Sequence, residues 1–294
     1  MKIIDITSIT KDYGNQKGVF DVTFQVDKGE VLGFLGPNGA GKTTTIRQLM
    51  GFIKPDKGTV RILNMDCFKE VEKIQKEVGY LPGEIAFIDD MTGQQFIQFI
   101  ADMKNIRENS KAKELIAYFE IDTHMKIHKM SKGMKQKIAI ICAFMQDPDI
   151  LILDEPTSGL DPLMQNKFVD LIKEEKSKGK TILMSSHIFE EVEKTCDRVA
   201  IIKEGKIVAI ENMLDLTKKR VKQFEITFSS PQEVESFITK YPEAIINELM
   251  VTIKIKDISS FIKQLSKYTV TNINIKEQTI EELFLHYYGG DQHA

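Results

Sequence analysis

Residues 31–45, VLGFLGPNGAGKTTT, constrain this chain more than any other stretch. An apolar run, Val31 to Leu35, feeds a glycine-rich turn, and a helix-like segment follows from Thr43 to Met50. Residues 36–43 fit the pattern G-x-x-x-x-G-K-S/T. Between a strand and a helix, such a loop (Gly36, Pro37, Asn38, Gly39, Ala40, Gly41) wraps phosphates with the backbone N–H groups of its non-proline residues, at a helix N-terminus. Lys42 then reaches the β- and γ-phosphates, and the Thr43 hydroxyl is placed to ligate Mg²⁺. The alternative is a glycine-rich turn that binds nothing. Strand before, helix after and the Gly-Lys-Thr core favour a nucleotide, so the remaining segments are read as serving one.

With 294 residues there is room for two domains, or one large domain with an appendage. A formal charge of −3 argues against a general nucleic-acid binder, which is usually clearly basic. Cys67, Cys142 and Cys196 lie far apart and lack metal-ligand spacing, so disulfides are not expected and reducing cytosol fits. The opening residues alternate like a strand rather than a signal peptide. No window approaches 18 consecutive apolar residues, so any membrane role is expected to be peripheral.

Taken in order, residues 2–35 read as short strands. Ile4, Ile6 and Ile9 suggest alternation, and residues 19–26 alternate more cleanly. Tyr13 precedes Gly14 on the first loop, as either an adenine-stacking aromatic or an ordinary loop tyrosine. Residues 90–128 read as helical, an insertion within the domain. Ser131 is placed to N-cap a long apolar helix that runs to Met145. The buried strand 150–153 runs straight into Asp154 and Glu155, where α/β folds put their chemistry. Another buried strand, 180–185, ends at Ser186 and His187, and a hairpin closes the domain at residues 199–210. From about residue 214 the character shifts. A basic link, 217–222, leads to strand-like pieces (224–228, 244–247, 250–255, 270–275) alternating with helical ones (231–239, 258–267, 279–288). That pattern is a small α+β module of ferredoxin-like type.

The phosphate loop, the Met130-Ser131-Lys132-Gly133-Met134 segment, the run ILILDEPTSGLD and the downstream His187 occur in one order that resembles the ATPase subunit of an ATP-binding cassette (ABC) transporter. The resemblance covers roughly residues 2–212. The C-terminal part is similar to the tail of bacterial subunits that work with a separately encoded membrane protein to export drugs, antimicrobial peptides, peptide toxins or sodium. It implies an α/β P-loop NTPase fold over residues 1–213, with a mixed central sheet, an antiparallel β subdomain and a helical insertion at about 84–145. Residues 214–294 would then be an accessory domain. Further implications are ATP and Mg²⁺ as ligands, an integral-membrane permease subunit as partner, and a place at the cytoplasmic face of the cell membrane. A second ATPase subunit, either another copy or a close relative, is implied too.

Residue by residue, the resemblance implies that 36–43 with Thr44 cradle the phosphates, while Thr43 and Asp154 hold Mg²⁺. Glu155 is the general base, His187 contacts the γ-phosphate, and Tyr13 stacks on adenine. Ser131 and Gly133 reach the other subunit's ATP, and Asp161 lies across the dimer interface. Two positions depart from the family pattern. Gly83 stands where a glutamine is usual, leaving Glu84 or water to replace it. Lys132 replaces a glycine, either as an extra cation near phosphate or as a solvated helix-start residue. Competing readings are a soluble ABC protein and a low-turnover regulatory ATP-binding module.

Overall fold

Three apolar runs are buried along their whole length: Val31–Leu35, Ile150–Asp154 and Thr181–Ser186. Strands buried on both faces belong at the centre of a parallel sheet covered by helices. A computed structural model describes residues 1–219, 222–255, 257–277, 279 and 281–283, in two units, Met1–Met213 and Leu214–Ala294. The first unit opens with β1 (Lys2–Asp12), β2 (Gly18–Asp27), β3 (Val31–Leu35), α1 (Lys42–Leu49), β4 (Lys57–Ile62), β5 (Met65–Asp66), α2 (Val71–Glu77) and β6 (Val78–Leu81). It continues through α3 (Gly93–Met103), α4 (Ser110–Tyr118), α5 (Lys132–Phe144), β7 (Ile150–Asp154), α6 (Pro162–Ser177), β8 (Thr181–Ser186), α7 (Phe189–Thr195), β9 (Arg198–Lys203) and β10 (Lys206–Asn212).

The central sheet runs β10-β9-β3-β8-β7-β6. Its pairings are parallel from β9 to β6, and β10 is added antiparallel, so the sheet is mixed. The second sheet, β2-β1-β4-β5, is antiparallel throughout. Ile4, Ile6, Val22 and Phe24 from that sheet share one core with Leu32 and Phe34 of β3 and Ile46 and Leu49 of α1. This packing holds the start of α1, and the loop before it, against the end of β3.

Several boundaries differ from the sequence expectation for local reasons. The first two strands are long rather than short, and each carries a bulge. Ser8 and Asp21 have φ of 49° and 54°, so the buried spacing slips from Ile6 to Ile9 and from Val19 to Val22. A tight turn through Leu63 and Asn64, both with positive φ, adds the short strand β5 that periodicity did not reveal. The stretch 90–128 is two helices with breaks, not one helical run. α3 begins with a capping box in which Thr92 Oγ1 accepts from Gln95 N while Gln95 Oε1 accepts from Thr92 N.

The second unit starts with α8 (Met213–Lys219), which spans the boundary and occupies the first half of the expected basic link, residues 217–219. There follow β11 (Lys222–Phe228), α9 (Pro231–Lys240), β12 (Ile245–Asn247), β13 (Met250–Ile255), α10 (Ile258–Leu265) and β14 (Val270–Glu277). The order β-α-β-β-α-β folds into an antiparallel sheet, β12-β13-β11-β14. Phe224, Phe228, Phe237 and Phe261 fill its own core. Of the helix expected over 279–288, Ile280 and residues 284–288 lie outside the described residues, as do Arg220 and Val221 of the link.

Candidate active site

The apolar strand β3 delivers the chain to a loop whose backbone only small residues permit. Gly39 and Gly41 adopt φ of 82° and 109°, in the left-handed region, and Gly41 caps α1. A Cβ on Gly36 would stand 2.5 Å from the Ile202 carbonyl oxygen, so β9 admits only glycine there. Asn38, Pro37 and Ala40 complete the turn, with Ala40 N donating to Pro37 O at 3.2 Å. Lys42 is 5% exposed, and its ammonium donates to the carbonyls of Gly36 (2.6 Å) and Pro37 (3.2 Å). Thr43 and Thr44 follow, half-buried, in the first turn of α1.

Strands β7 and β8 bring the acidic pair to the same sheet edge. Asp154 is fully buried; its Oδ1 accepts from Ser185 Oγ at 2.5 Å, and Ser185 Oγ in turn accepts from Glu155 N at 2.9 Å. Glu155 takes a φ of 48°, which costs on the order of 1–3 kcal/mol for a non-glycine residue. Its carboxylate then meets Lys42 Nζ at 3.0 Å through Oε1 and His187 Nδ1 at 2.8 Å through Oε2. The second pairing is made when Nδ1 carries the imidazole proton. His187 is 47% exposed and Glu155 21%. Phosphate loop, Asp154, Glu155 and His187 are thus one cluster. Ser185 joins it as the member that sequence reasoning missed: a serine inside a buried strand carries no motif, and its role depends on cross-strand register.

Asp154 Oδ2 is buried without a hydrogen-bond partner among the described residues, and burying a charged oxygen in that state is costly. A hard cation fits there, because Mg²⁺ takes one or two carboxylate or hydroxyl oxygens from protein and the rest from phosphate and water. Burial, reinforced by the Asp154 charge, pushes the neighbouring Tyr80 phenol up to about 12. Gly83 lies against the same carboxylate, since its Cβ would stand 3.0 Å from Oδ2, while Glu84 is exposed.

The remaining expected residues form a separate group. Ser131 caps α5, its Oγ accepting from Met134 N at 3.2 Å, and Asp161 caps α6, its Oδ1 accepting from Met164 N at 2.9 Å. Gly133 packs where a Cβ would come within 2.7 Å of Gly159 O. Lys132, exposed as the first residue of α5, also donates to Ser158 Oγ at 3.0 Å and lays its methylenes over Gly159. Gln136, buried, donates to Pro156 O at 2.7 Å. These bonds join the start of α5 to residues 156–160, immediately after Glu155. Among the described residues, no hydrogen bond or ion pair joins Ser131, Gly133 or Asp161 to the phosphate loop. Tyr13 stands 53% exposed on the β1–β2 turn, its N donating to Lys17 O at 2.8 Å.

Known proteins resemble this chain in sequence and in fold. Residues 19–158 match the family described as ABC transporter. The linearmycin resistance ATP-binding protein LnrL of Bacillus subtilis is 30% identical over 98% of both chains. The bacitracin transport ATP-binding protein BcrA of Bacillus licheniformis is 39% identical over 76% of this chain and 73% of its own. Among solved structures, an ATP-binding subunit of an ABC transporter superposes with a TM-score of 0.67 at 30% identity, covering 74% of this chain and 92% of the other. A dimeric ATP-binding cassette bound to ADP and Pi shares the fold at 23% identity and a TM-score of 0.65, over 71% and 98% of the chains.

Proposed function

This chain belongs to the ABC transporters as an ATP-binding subunit of the bacterial exporter group, and on that premise we propose that it hydrolyses ATP in a site completed by a second ATPase subunit. The observation that carries the reading is the split of the expected site residues into two groups. Lys42, Asp154, Glu155 and His187 meet at one sheet edge, whereas Ser131 and Gly133 sit at the start of α5, whose Lys132 and Gln136 bond to the loop after Glu155. In such a site the phosphate loop of one subunit holds ATP and the α5 start of the other closes on its γ-phosphate.

The chain's own groups account for the chemistry. Lys42 and the backbone N–H groups of residues 38–44 hold the β- and γ-phosphates. Glu155 takes a proton from the attacking water as its oxygen bonds to the γ-phosphorus and the bond to the β-phosphate oxygen breaks, releasing ADP and phosphate. A positioned base of this kind contributes ~10²–10⁴ in rate. His187 keeps Glu155 oriented and reaches the γ-phosphate, and Tyr13 stacks on adenine. Mg²⁺, held by Thr43 and Asp154, supplies charge neutralisation on the phosphates when bound.

No described helix is long and apolar enough to cross a membrane. Relatives named as transport ATP-binding proteins support transport through a separate integral-membrane permease subunit, with this chain at the cytoplasmic face. ATP-driven closing of two ATPase subunits, and reopening after hydrolysis, biases the permease between two states. Residues 84–129 supply its docking surface. Relatives named for bacitracin transport and linearmycin resistance support an exported antimicrobial compound as cargo.

Subunit mixing tests the composite site. Lys42→Ala and Ser131→Ala chains are each expected to be inactive alone. Their mixture regains part of the ATPase rate, because a mixed pair contains one intact phosphate loop facing one intact α5 start. No recovery in a mixture that forms mixed pairs overturns the reading.

A further inference from the structure

Behind His187, the first turn of α7 carries Glu191, a carboxyl only 6% exposed. Its Oε2 accepts from Ser186 Oγ at 2.6 Å, and that same hydroxyl accepts from Ile188 N at 2.9 Å, so the bonds flank His187 on both sides. The other oxygen, Oε1, is buried and accepts no hydrogen bond among the described residues, although Thr157, two residues after Glu155, is close enough to favour the ionised form. A cavity of about 230 Å³ opens beside this carboxyl, lined by Thr157, Gln165, Asn166, Val169 and Ile188. It gives the group a route to water, and the reaction described so far makes no use of it.

We propose that Glu191 is a positioning residue for the Glu155–His187 pair: through Ser186 Oγ it holds the backbone on both sides of His187, beside a cavity it shares with Thr157 of the loop after Glu155. That anchor fixes where His187 stands to make its 2.8 Å contact with Glu155. The proposal rests on the reading of Glu155 and His187 as the reaction centre and adds the group that holds them in register. Burial pushes the Glu191 pKa up to about 7, the nearby Glu155 charge adds to the rise, and Ser186 and Thr157 oppose it. The other charged groups around it are accounted for. Glu190 and Lys194 on α7 pair with each other at 2.7 Å, α6 presents the neutral Gln165 and Asn166, and the Cys196 thiol is itself pushed up to about 12, chiefly by burial. In either form the carboxyl accepts from Ser186. Once ionised it faces the charge of Glu155, so the neutral form leaves the Glu155–His187 pair undisturbed.

The test is the pH dependence of ATP hydrolysis by the full chain and by Glu191→Gln, whose amide keeps a donor and an acceptor at every pH. The wild-type kcat is expected to fall about threefold or more as pH rises through about 7 while KM for ATP moves little, and Glu191→Gln is expected to lack that fall. Glu191→Ala should lower kcat throughout; if it is too unstable to assay, the profile of the glutamine variant decides alone. The same fall in Glu191→Gln, or a wild-type kcat in Glu191→Ala, overturns the proposal. A Glu155→Gln chain that still turns over ATP means instead that the reaction centre itself is misassigned, so the two failures are told apart.

Discussion

The ammonium of Lys42 lies 3.0 Å from Oε1 of Glu155, in a pair where the lysine is 5% exposed and the glutamate 21%. The phosphate-binding cation and the proposed base thus neutralise each other. Under the proposed function, incoming phosphates compete with Glu155 for Lys42, and taking that cation leaves the carboxylate free to accept a proton. Substrate binding and activation of the base are one exchange of partners.

Glu155→Gln removes the competitor as well as the base. ATP affinity of the isolated chain is expected to rise by ~10-fold, equivalent to ~1.4 kcal/mol, while hydrolysis falls by ~10²–10⁴. Calorimetric titration with ATP and a phosphate-release assay measure the two effects, and gel filtration should show a persistent ATP-bound dimer. Unchanged affinity would remove the exchange argument; turnover at the wild-type rate would remove Glu155 as base.

Ser185→Ala takes one hydroxyl from two partners, Asp154 Oδ1 and Glu155 N. Leaving such buried groups unpaired costs ~1–3 kcal/mol, and it also releases the left-handed backbone of Glu155. Both stability in urea and kcat should drop. A variant with normal kcat would show that Ser185 does not hold the acidic pair in place.

Ser131→Ala loses the α5 cap and is expected to cost ~1 kcal/mol of stability. ATP binding by the single chain should not change, because Ser131 is tied to α5 and not to its own phosphate loop. Hydrolysis should fall strongly. Filter-binding or calorimetric affinity that drops in step with hydrolysis would place Ser131 in its own chain's site.

Glu191 also predicts a pH-dependent stability. Its folded pKa of about 7 lies above the ordinary 4.5. Between those values the folded chain holds a proton that the unfolded chain has lost, so this group's contribution is most favourable below about 4.5 and declines as pH rises to about 7. The loss amounts to something on the order of 3 kcal/mol. Unfolding of wild type and Glu191→Gln, compared on the acid and alkaline sides of that interval, isolates it, since other carboxylates cancel in the difference. A difference that does not change with pH would mean that Glu191 is ionised throughout.

Phe237 is fully buried among Phe228, Tyr241, Phe261 and Tyr268, with ring centroids 4.7–6.2 Å away. Phe237→Ala should destabilise the second unit by ~3–5 kcal/mol. Since every phosphate-loop residue belongs to residues 1–213, ATP affinity should be unchanged. Scanning calorimetry and ATP titration on the same sample check both halves.

Much of this was legible in residue order because the chemistry is local. The loop from Gly36 to Thr43 is built from adjacent residues, and its left-handed turns at Gly39 and Gly41 favour glycine in sequence. Residues 150–153, ILIL, are apolar throughout because the strand is covered on both faces, and its end places Asp154 and Glu155 without reference to the rest of the chain. Ser131 as a cap followed from one polar residue before an apolar run. The bulges at Ser8 and Asp21 were hidden, since a bulge preserves composition and shifts only the pairing. Lys132 looked like an open choice between phosphate and solvent, and its tie to Ser158 appears only when α5 meets residues 156–160.

Residue order by itself therefore determined the nucleotide loop, the acidic pair, the histidine and the two-part division of the chain, each through short-range periodicity or spacing. Tertiary structure alone decided how they meet. Lys42 and Glu155 are separated by more than a hundred positions yet share an ion pair, Ser185 joins Asp154 to Glu155 across two strands, and Glu191 lies beneath His187. Parallel strands order themselves through crossover helices and burial, so which strand ends become neighbours is settled by packing and register, over distances that no local pattern records.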